Sequence, residues 1–265
     1  MSLAVVLSEP FSSPESPAGH PGAAPPRLGE LTLEAYAVDT AAGQIPCFRY
    51  PGPQEAYVLF RRGWPDVLPP HHVPYRAQAL ALQALGVRAA LFVGQVLVLD
   101  DRLPLSTPLQ IGDLLMPDNR LPDGTVCTLA DAPQAAQAQR SRSADLISTA
   151  LNEQISMLGD AVGAEPCPPA VLAYGGVPRQ PTRAEELFWL RMGAELHGGA
   201  MGPDLVLAHE LGISCAALAV GTSYARSQVE TEDAELDRAA MHAQTRRALD
   251  PLLVVFLAQG RPIDR

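Results

Sequence analysis

The chain has 265 residues, 47% of them hydrophobic, which is enough apolar material to bury one core in a single domain over residues 1–265. Nineteen Lys and Arg against 29 Asp and Glu leave a formal charge of −10, which repels phosphate backbones and anionic lipid and argues against nucleic acid or a membrane surface as partner. Four scattered cysteines, Cys47, Cys127, Cys167 and Cys215, form no CxxC pair, as expected of buried thiols in a reducing, cytoplasmic setting.

In chain order, SLAVVL is a short aliphatic strand without a basic leader, too short for a signal peptide or a membrane span. It runs into a Pro-, Ser- and Gly-rich segment, residues 9–27, which reads as a mobile loop. LTLEAYAV, IPCFRY and AYVLFR mix β-branched, aromatic and alternating residues between turn signals and predict successive strands. YRAQALALQALG has apolar residues three and four apart and a closing glycine, predicting a helix with a C-terminal stop. Tyr75 and Arg76 open it, and VRAALFVGQVLVLD follows as a buried strand.

ADAPQAAQAQRSRS reads as a surface loop or a helix start, and PAVLAYGG as a strand. In TRAEELFWLRMG, Thr182 and Glu185 have capping-box spacing. PDLVLAHELG predicts another helix, and the small residues of ISCAALAVGTSYA suit a central strand covered on both faces. Residues 233–257 predict a long amphipathic helix whose apolar end, LLVVFLA, packs on the sheet.

Several chemistries are excluded by what is missing. Neither GxxxxGKS/T nor GxGxxG occurs, so no phosphate-cradling loop of those kinds exists. His71 and His72 are adjacent in what reads as an extended segment, pointing to opposite faces and unable to share a metal. HELGIS lacks the second histidine of a zinc protease, and Ser214 beside Cys215 sits in an apolar strand rather than at a nucleophile elbow.

Four segments in fixed order carry more. VPYRAQALALQALGV, QIGDLLMPDNRL, VPRQPTRAEELFWLRMGAEL and GPDLVLAHELGISCAALAVGTSYA together resemble the nucleoside phosphorylase superfamily, of the trimeric purine nucleoside and methylthioadenosine phosphorylase type. The resemblance implies an α/β single-domain fold, with a curved mixed central β-sheet flanked by helices, and a homotrimer. It also implies attack of phosphate on the N-glycosidic bond of a purine nucleoside, giving free base and a sugar 1-phosphate without cofactor or metal. Such a site needs cations and amides for the phosphate, an apolar floor for the sugar and a side chain that handles N7 of the departing purine.

Residue by residue, the fold positions match and the chemical ones do not. The family's RHGRxH segment falls on Arg61 onward: Arg61 is retained, Arg62 replaces histidine, Trp64 replaces arginine and Asp66 replaces histidine. An aspartate there repels phosphate by about 1 to 4 kcal/mol at about 4 Å. The family's glycine-rich loop after the first strand is LSEPFS here, placing Ser8 and Glu9 at phosphate positions, with Pro10 lacking an N–H. Gly94 and Ala200 complete the phosphate-position set.

At the base and sugar positions the resemblance places Gln95, Gln180 where the GPRF motif has its stacking phenylalanine, Gly199 in place of the floor methionine, Met201, and Ala225. The family's TDYD is TSYA, so Ser223 stands where a carboxylate serves purine N7, and serine offers a hydrogen bond without charge. DDRLPLSTPLQ is several residues longer than the family's connection, while Gly112 and Asp113 keep the GD of a sheet turn and Pro203 and Asp204 a helix start. Three readings follow. One is a divergent purine nucleoside phosphorylase with inorganic phosphate as co-substrate. Another is a nucleosidase in which Glu9 or Asp66 activates water. The last is a non-catalytic relative acting as a binding or assembly subunit.

Overall fold

The computed structural model describes residues 2–8, 26–130, 145–176, 179–225 and 234–262, with backbone only for 234–242. Glu9, Pro10, Val177, Pro178 and residues 131–143 of the Ala/Gln-rich stretch lie outside the described residues. So does most of the Pro-rich segment, although its last residue, Arg27, pairs in a small hairpin formed by β2, Arg27–Leu28, and β3, Leu31–Thr32.

The remaining elements alternate as the sequence pattern predicts. β1 is Ser2–Leu7, β4 Glu34–Thr40, β5 Gly43–Arg49 and β6 Ala56–Phe60; α1, Tyr75–Ala84, and β7, Val87–Val98, follow. Then come β8, Pro108–Leu115, α2, Thr149–Ala161, β9, Cys167–Tyr174, and α3, Arg183–Arg191. β10, Leu196–Gly198, α4, Gly202–Glu210, β11, Ser214–Tyr224, and α5, Ala234–Gln259, complete the chain.

Among the described residues, nine strands form one mixed sheet in the order β10-β9-β8-β11-β7-β1-β6-β5-β4. β1, β6, β7 and β11 run parallel, whereas β8 lies antiparallel to β11 and β5 to both β4 and β6. β10 pairs with β9 on one side and with the far end of β7 on the other. That second pairing curls β7, β11, β8, β9 and β10 into a closed ring of strands, so the curvature implied by the resemblance is present.

Strand alternation explains the two cores. Ala4 and Val6 of β1 face α1 and α4, joining Ala81, Phe92 and Leu205. Leu3, Val5 and Leu7 face the opposite way, onto Leu151 and Ile155 of α2 and Leu252, Leu253 and Phe256 of α5. The apolar end of α5 therefore packs on the sheet as its sequence predicts. β11 is central and buried from Ser214 to Val220.

α1 ends at Gly86, whose φ of +65° favours glycine. The capping box is complete: the Glu185 amide donates to Thr182 Oγ1 at 3.3 Å, and Glu185 Oε2 accepts from the Thr182 amide at 2.7 Å. Thr182→Ala is expected to lower the unfolding free energy by about 1 kcal/mol in urea titration; a change below a few tenths would show that the box contributes nothing.

Three expectations are corrected. His71 and His72 lie in a 3-10 turn, Pro70–His72, with ring centroids 4.3 Å apart, because two successive prolines bend the segment. They remain exposed, and among the described residues no cluster of three metal-ligating side chains exists. Gly112 and Asp113 lie inside β8 at a register shift rather than in a turn. α2, capped by Ser148, stands where no helix is read from the pattern. Among the described residues, no helix is long and apolar enough to cross a membrane.

Candidate active site

A cavity of about 440 Å³ opens where β1, β6, β10 and β11 end against the distal half of β7. This volume falls within the roughly 300–1,000 Å³ of small-molecule sites, and the position, outside strand ends, is where α/β sheets bind ligands. Ser8, Arg61, Arg62, Gln95, Gln180, Gly199, Ala200 and Ser223 all line it. Topology alone brings them together: Ser8 follows β1, Arg61 follows β6, Gln95 lies on β7 and Ser223 on β11.

Arg61 is fully buried, which needs explanation in a cationic side chain. Its Nε donates to Asp204 Oδ2 at 2.6 Å and its Nη1 to the Val93 carbonyl at 3.1 Å, while its own carbonyl accepts from Gln78 Nε2 at 2.6 Å. Nη2 has no partner. Asp204 sits in the first turn of α4; burial pushes its carboxyl up from the usual range, opposed by the charge and hydrogen bond of Arg61.

Ser8 sits beside Arg61: the Arg61 amide donates to the Leu7 carbonyl at 2.8 Å, and the Ser8 amide to that of Val93 at 3.2 Å. Among the described residues, Ser8 Oγ is also buried without a partner. Two buried donors, one charged, thus stand unfilled on one cavity wall, a combination that costs free energy in an empty site and is met by an anion.

The 61–68 loop takes its shape from Gly63, at φ +88°, where a Cβ would meet the Asp66 carbonyl at 2.7 Å. Arg62 lines the cavity, and its Nε donates to the Leu68 carbonyl at 2.7 Å. Trp64 turns away and packs on Phe60, with centroids 5.4 Å apart. Asp66 is exposed and outside the cavity lining, so the phosphate-position role read for it has no geometric support.

Three further candidates lie off the cavity. Gly94 and Met201 are paired: the space a Gly94 side chain would need is filled by Met201, whose Cε, Sδ and Cγ come within 3.1–3.2 Å of an ideal Cβ. Met201 has a φ of +70° and is fully buried, so its side chain supports the sheet from beneath instead of flooring the cavity. Ala225, whose amide donates to the Val98 carbonyl at 2.9 Å, lies past the strand in a separate depression with Asp100 and Leu190. Tyr75, read only as a helix start, is buried and lines the cavity.

The long 100–107 connection folds back over β11. The Ser106 amide donates to the Gly221 carbonyl at 3.1 Å, and the Tyr224 hydroxyl to the Leu103 carbonyl at 3.0 Å. Gly221 has no room for a side chain against Val98 and Leu105. The strand end carrying Thr222 and Ser223 is thereby fixed.

Sequence reasoning missed His197. It is buried on β10 and lines the cavity with its ring against Gly175, where a Cβ would fall 2.1 Å from Nε2. Burial lowers its pKa below the ordinary 6.5, with Glu185 opposing weakly. By contrast, burial pushes the Cys47 thiol up to about 11 and the Cys127 thiol up to about 12, leaving both inert.

The comparisons agree with this fold. A methylthioadenosine phosphorylase from an antarctic soil metagenomic library superposes with a TM-score of 0.70 at 18% identity, covering 98% of this chain and 87% of that one. Methylthioadenosine phosphorylase from Schistosoma mansoni in complex with tubercidin gives 0.71 at 18%, covering 96% and 91%. The same enzyme in complex with adenine gives 0.72 at 17%, covering 98% and 93%. No curated protein matches the sequence significantly. The phosphorylase superfamily matches over residues 35–253, most of the length of the chain, which therefore belongs to that superfamily.

Proposed function

We propose that the protein binds a purine nucleoside in the 440 Å³ cavity and cleaves its N-glycosidic bond with inorganic phosphate, without a cofactor. The observation that carries this reading is the pair of buried, unpartnered donors, Ser8 Oγ and Arg61 Nη2, on the wall of a cavity that also exposes Gln95, Gln180 and Ser223. The donors hold the phosphate nucleophile. Gly199 and Ala200, with no side chain beyond a methyl, leave room for a sugar, and Gln180 and Ser223 meet the base. Membership of the phosphorylase superfamily supports the reaction class. Structures of similar fold that hold adenine and tubercidin support a purine-type ligand.

A second reading, a non-catalytic binding subunit, is favoured by one observation: the charge of Arg61 is already matched by Asp204, and no carboxylate stands at Ser223 or Ala225. Of the two bases the water-using reading offers, Asp66 is off the cavity and Glu9 lies outside the described residues. A homotrimer and a cytoplasmic location remain part of the proposal, on the family resemblance and on the thiol usage.

The test is chromatographic detection of free base after incubating the pure protein with adenosine, inosine, guanosine and methylthioadenosine, with and without phosphate. Base release that requires phosphate is the expected result. Release independent of phosphate would replace the phosphorylase reading with a hydrolase, and no release from folded protein would favour the binding subunit.

A further inference from the structure

His197, Leu97 and Ser223 form a row across three strands. His197 of β10 pairs with Leu97 of β7, and Leu97 pairs on its other side with Ser223 of β11. Residues paired directly across strands present their side chains to the same face, and all three line the same cavity. Two strand spacings separate the outer members by about 10 Å, with an apolar side chain between them. A planar base resting on Leu97 therefore has Ser223 at one edge and His197 at the other.

The imidazole is held for such a contact and spends nothing on the protein. Its ring lies 6.3 Å from that of Trp189, against the bare Cα of Gly175, and among the described residues it makes no hydrogen bond. Its ring nitrogens are not among the buried atoms that lack a partner, so they stand open to the cavity and to a ligand there. Gln95, Gln180 and Ser223 carry no group that could hand a proton to the base as an acid, whereas His197 carries an imidazole.

Resting on the nucleoside reading above, we propose that His197 grips the edge of the base opposite Ser223 and gives it a proton as the glycosidic bond breaks. Phosphate oxygen forms the bond to the anomeric carbon, and the C–N bonding pair passes to the base. The imidazolium N–H proton goes to a ring nitrogen of that base, so the leaving group departs neutral. The neutral imidazole then regains a proton from water. His197 thus supplies what the uncharged Ser223 and Ala225 do not.

The charged and titratable groups around the ring define its pH behaviour. Arg179 and Glu185 are ion-paired to each other at 2.6 Å at the α3 end, and Arg61, Arg62 and Tyr75 line the same cavity. Burial is the largest influence and lowers the pKa of His197. A proton donor of this kind works in its charged form, so turnover should rise as pH falls from 7 through the folded-state value, below 6.5.

The probes are adenine for binding, and methylthioadenosine with phosphate for turnover, applied to wild type, His197→Gln and His197→Ala, each checked for folding by circular dichroism. Adenine should move the His197 imidazole proton resonance, identified by its loss in His197→Gln, and should bind His197→Ala roughly 10-fold more weakly. His197→Gln should lose roughly 10²- to 10⁴-fold in kcat with a smaller change in KM, together with the acidic rise of the pH–rate profile. Equal adenine affinity in all three proteins, or an unchanged pH–rate profile in His197→Gln, overturns the assignment. Wild type that neither binds adenine nor releases base overturns the nucleoside reading itself, and this inference with it.

Discussion

Arg61→Met is expected to lower the unfolding free energy by about 3–5 kcal/mol at pH 7, measured by urea titration, because it strands the Asp204 carboxylate in a dry interior. Asp204 is itself buried, and its partner is the Arg61 Nε at 2.6 Å. The Arg61→Met/Asp204→Asn double variant should recover more than half of the loss, since breaking a buried pair costs more than removing it. A single variant within 1 kcal/mol of wild type would show that the pair is not desolvated as described.

The pH dependence follows from the raised Asp204 pKa. An unfolded aspartate titrates near about 3.9, so between that value and the folded one the native state binds more protons than the unfolded state. Stability contributed by this group therefore falls as pH rises through that window. Removing Arg61 takes away the charge that holds the carboxyl down and extends the window upward. The gap between wild type and Arg61→Met should thus narrow as pH is lowered and Asp204 becomes neutral. A gap that widens on acidification would contradict the assignment.

Much of this was legible in the sequence wherever local periodicity and chain order decide the outcome. The α1 pattern ending at Gly86, the Thr182 and Glu185 box and the apolar end of α5 are local signals, and each appears as read. α2 was opaque because TALNEQISMLGDA mixes apolar residues with Thr, Asn and Ser, which have weak helix propensity. Its helix rests on Leu151 and Ile155 reaching the core.

The site divides along the same line. Ser8 and Arg61 follow strand ends whose order the motifs fix, and both line the cavity. Gly94 and Met201 are matched in sequence but turned into the core by a left-handed backbone at Met201, a tertiary effect that spacing does not encode. His197 was invisible for a related reason. It occupies a three-residue strand whose importance comes from antiparallel pairing with Leu97, one hundred positions away in the chain. No local pattern announces such a contact.

Ser8→Ala should separate ligand binding from folding, which Arg61→Met cannot do. Ser8 Oγ is buried without a partner, so in the ligand-free protein its replacement by a hydrogen removes an unmet polar atom and leaves the unfolding free energy unchanged or raised, by up to about 1 kcal/mol. With phosphate present the sign reverses. A hydrogen bond to a charged group is worth about 1.5–3 kcal/mol, so phosphate affinity should fall roughly 10- to 150-fold. Thermal melting reads both effects: phosphate raises the Tm of wild type by mass action on the native state, and at the same concentration it should raise that of Ser8→Ala far less. If phosphate protects both proteins equally, Ser8 is no anion contact and Arg61 alone must carry that end of the cavity. If Ser8→Ala is destabilised by more than about 2 kcal/mol without ligand, the hydroxyl has a structural role, and the unfilled pair of donors no longer supports a phosphate site.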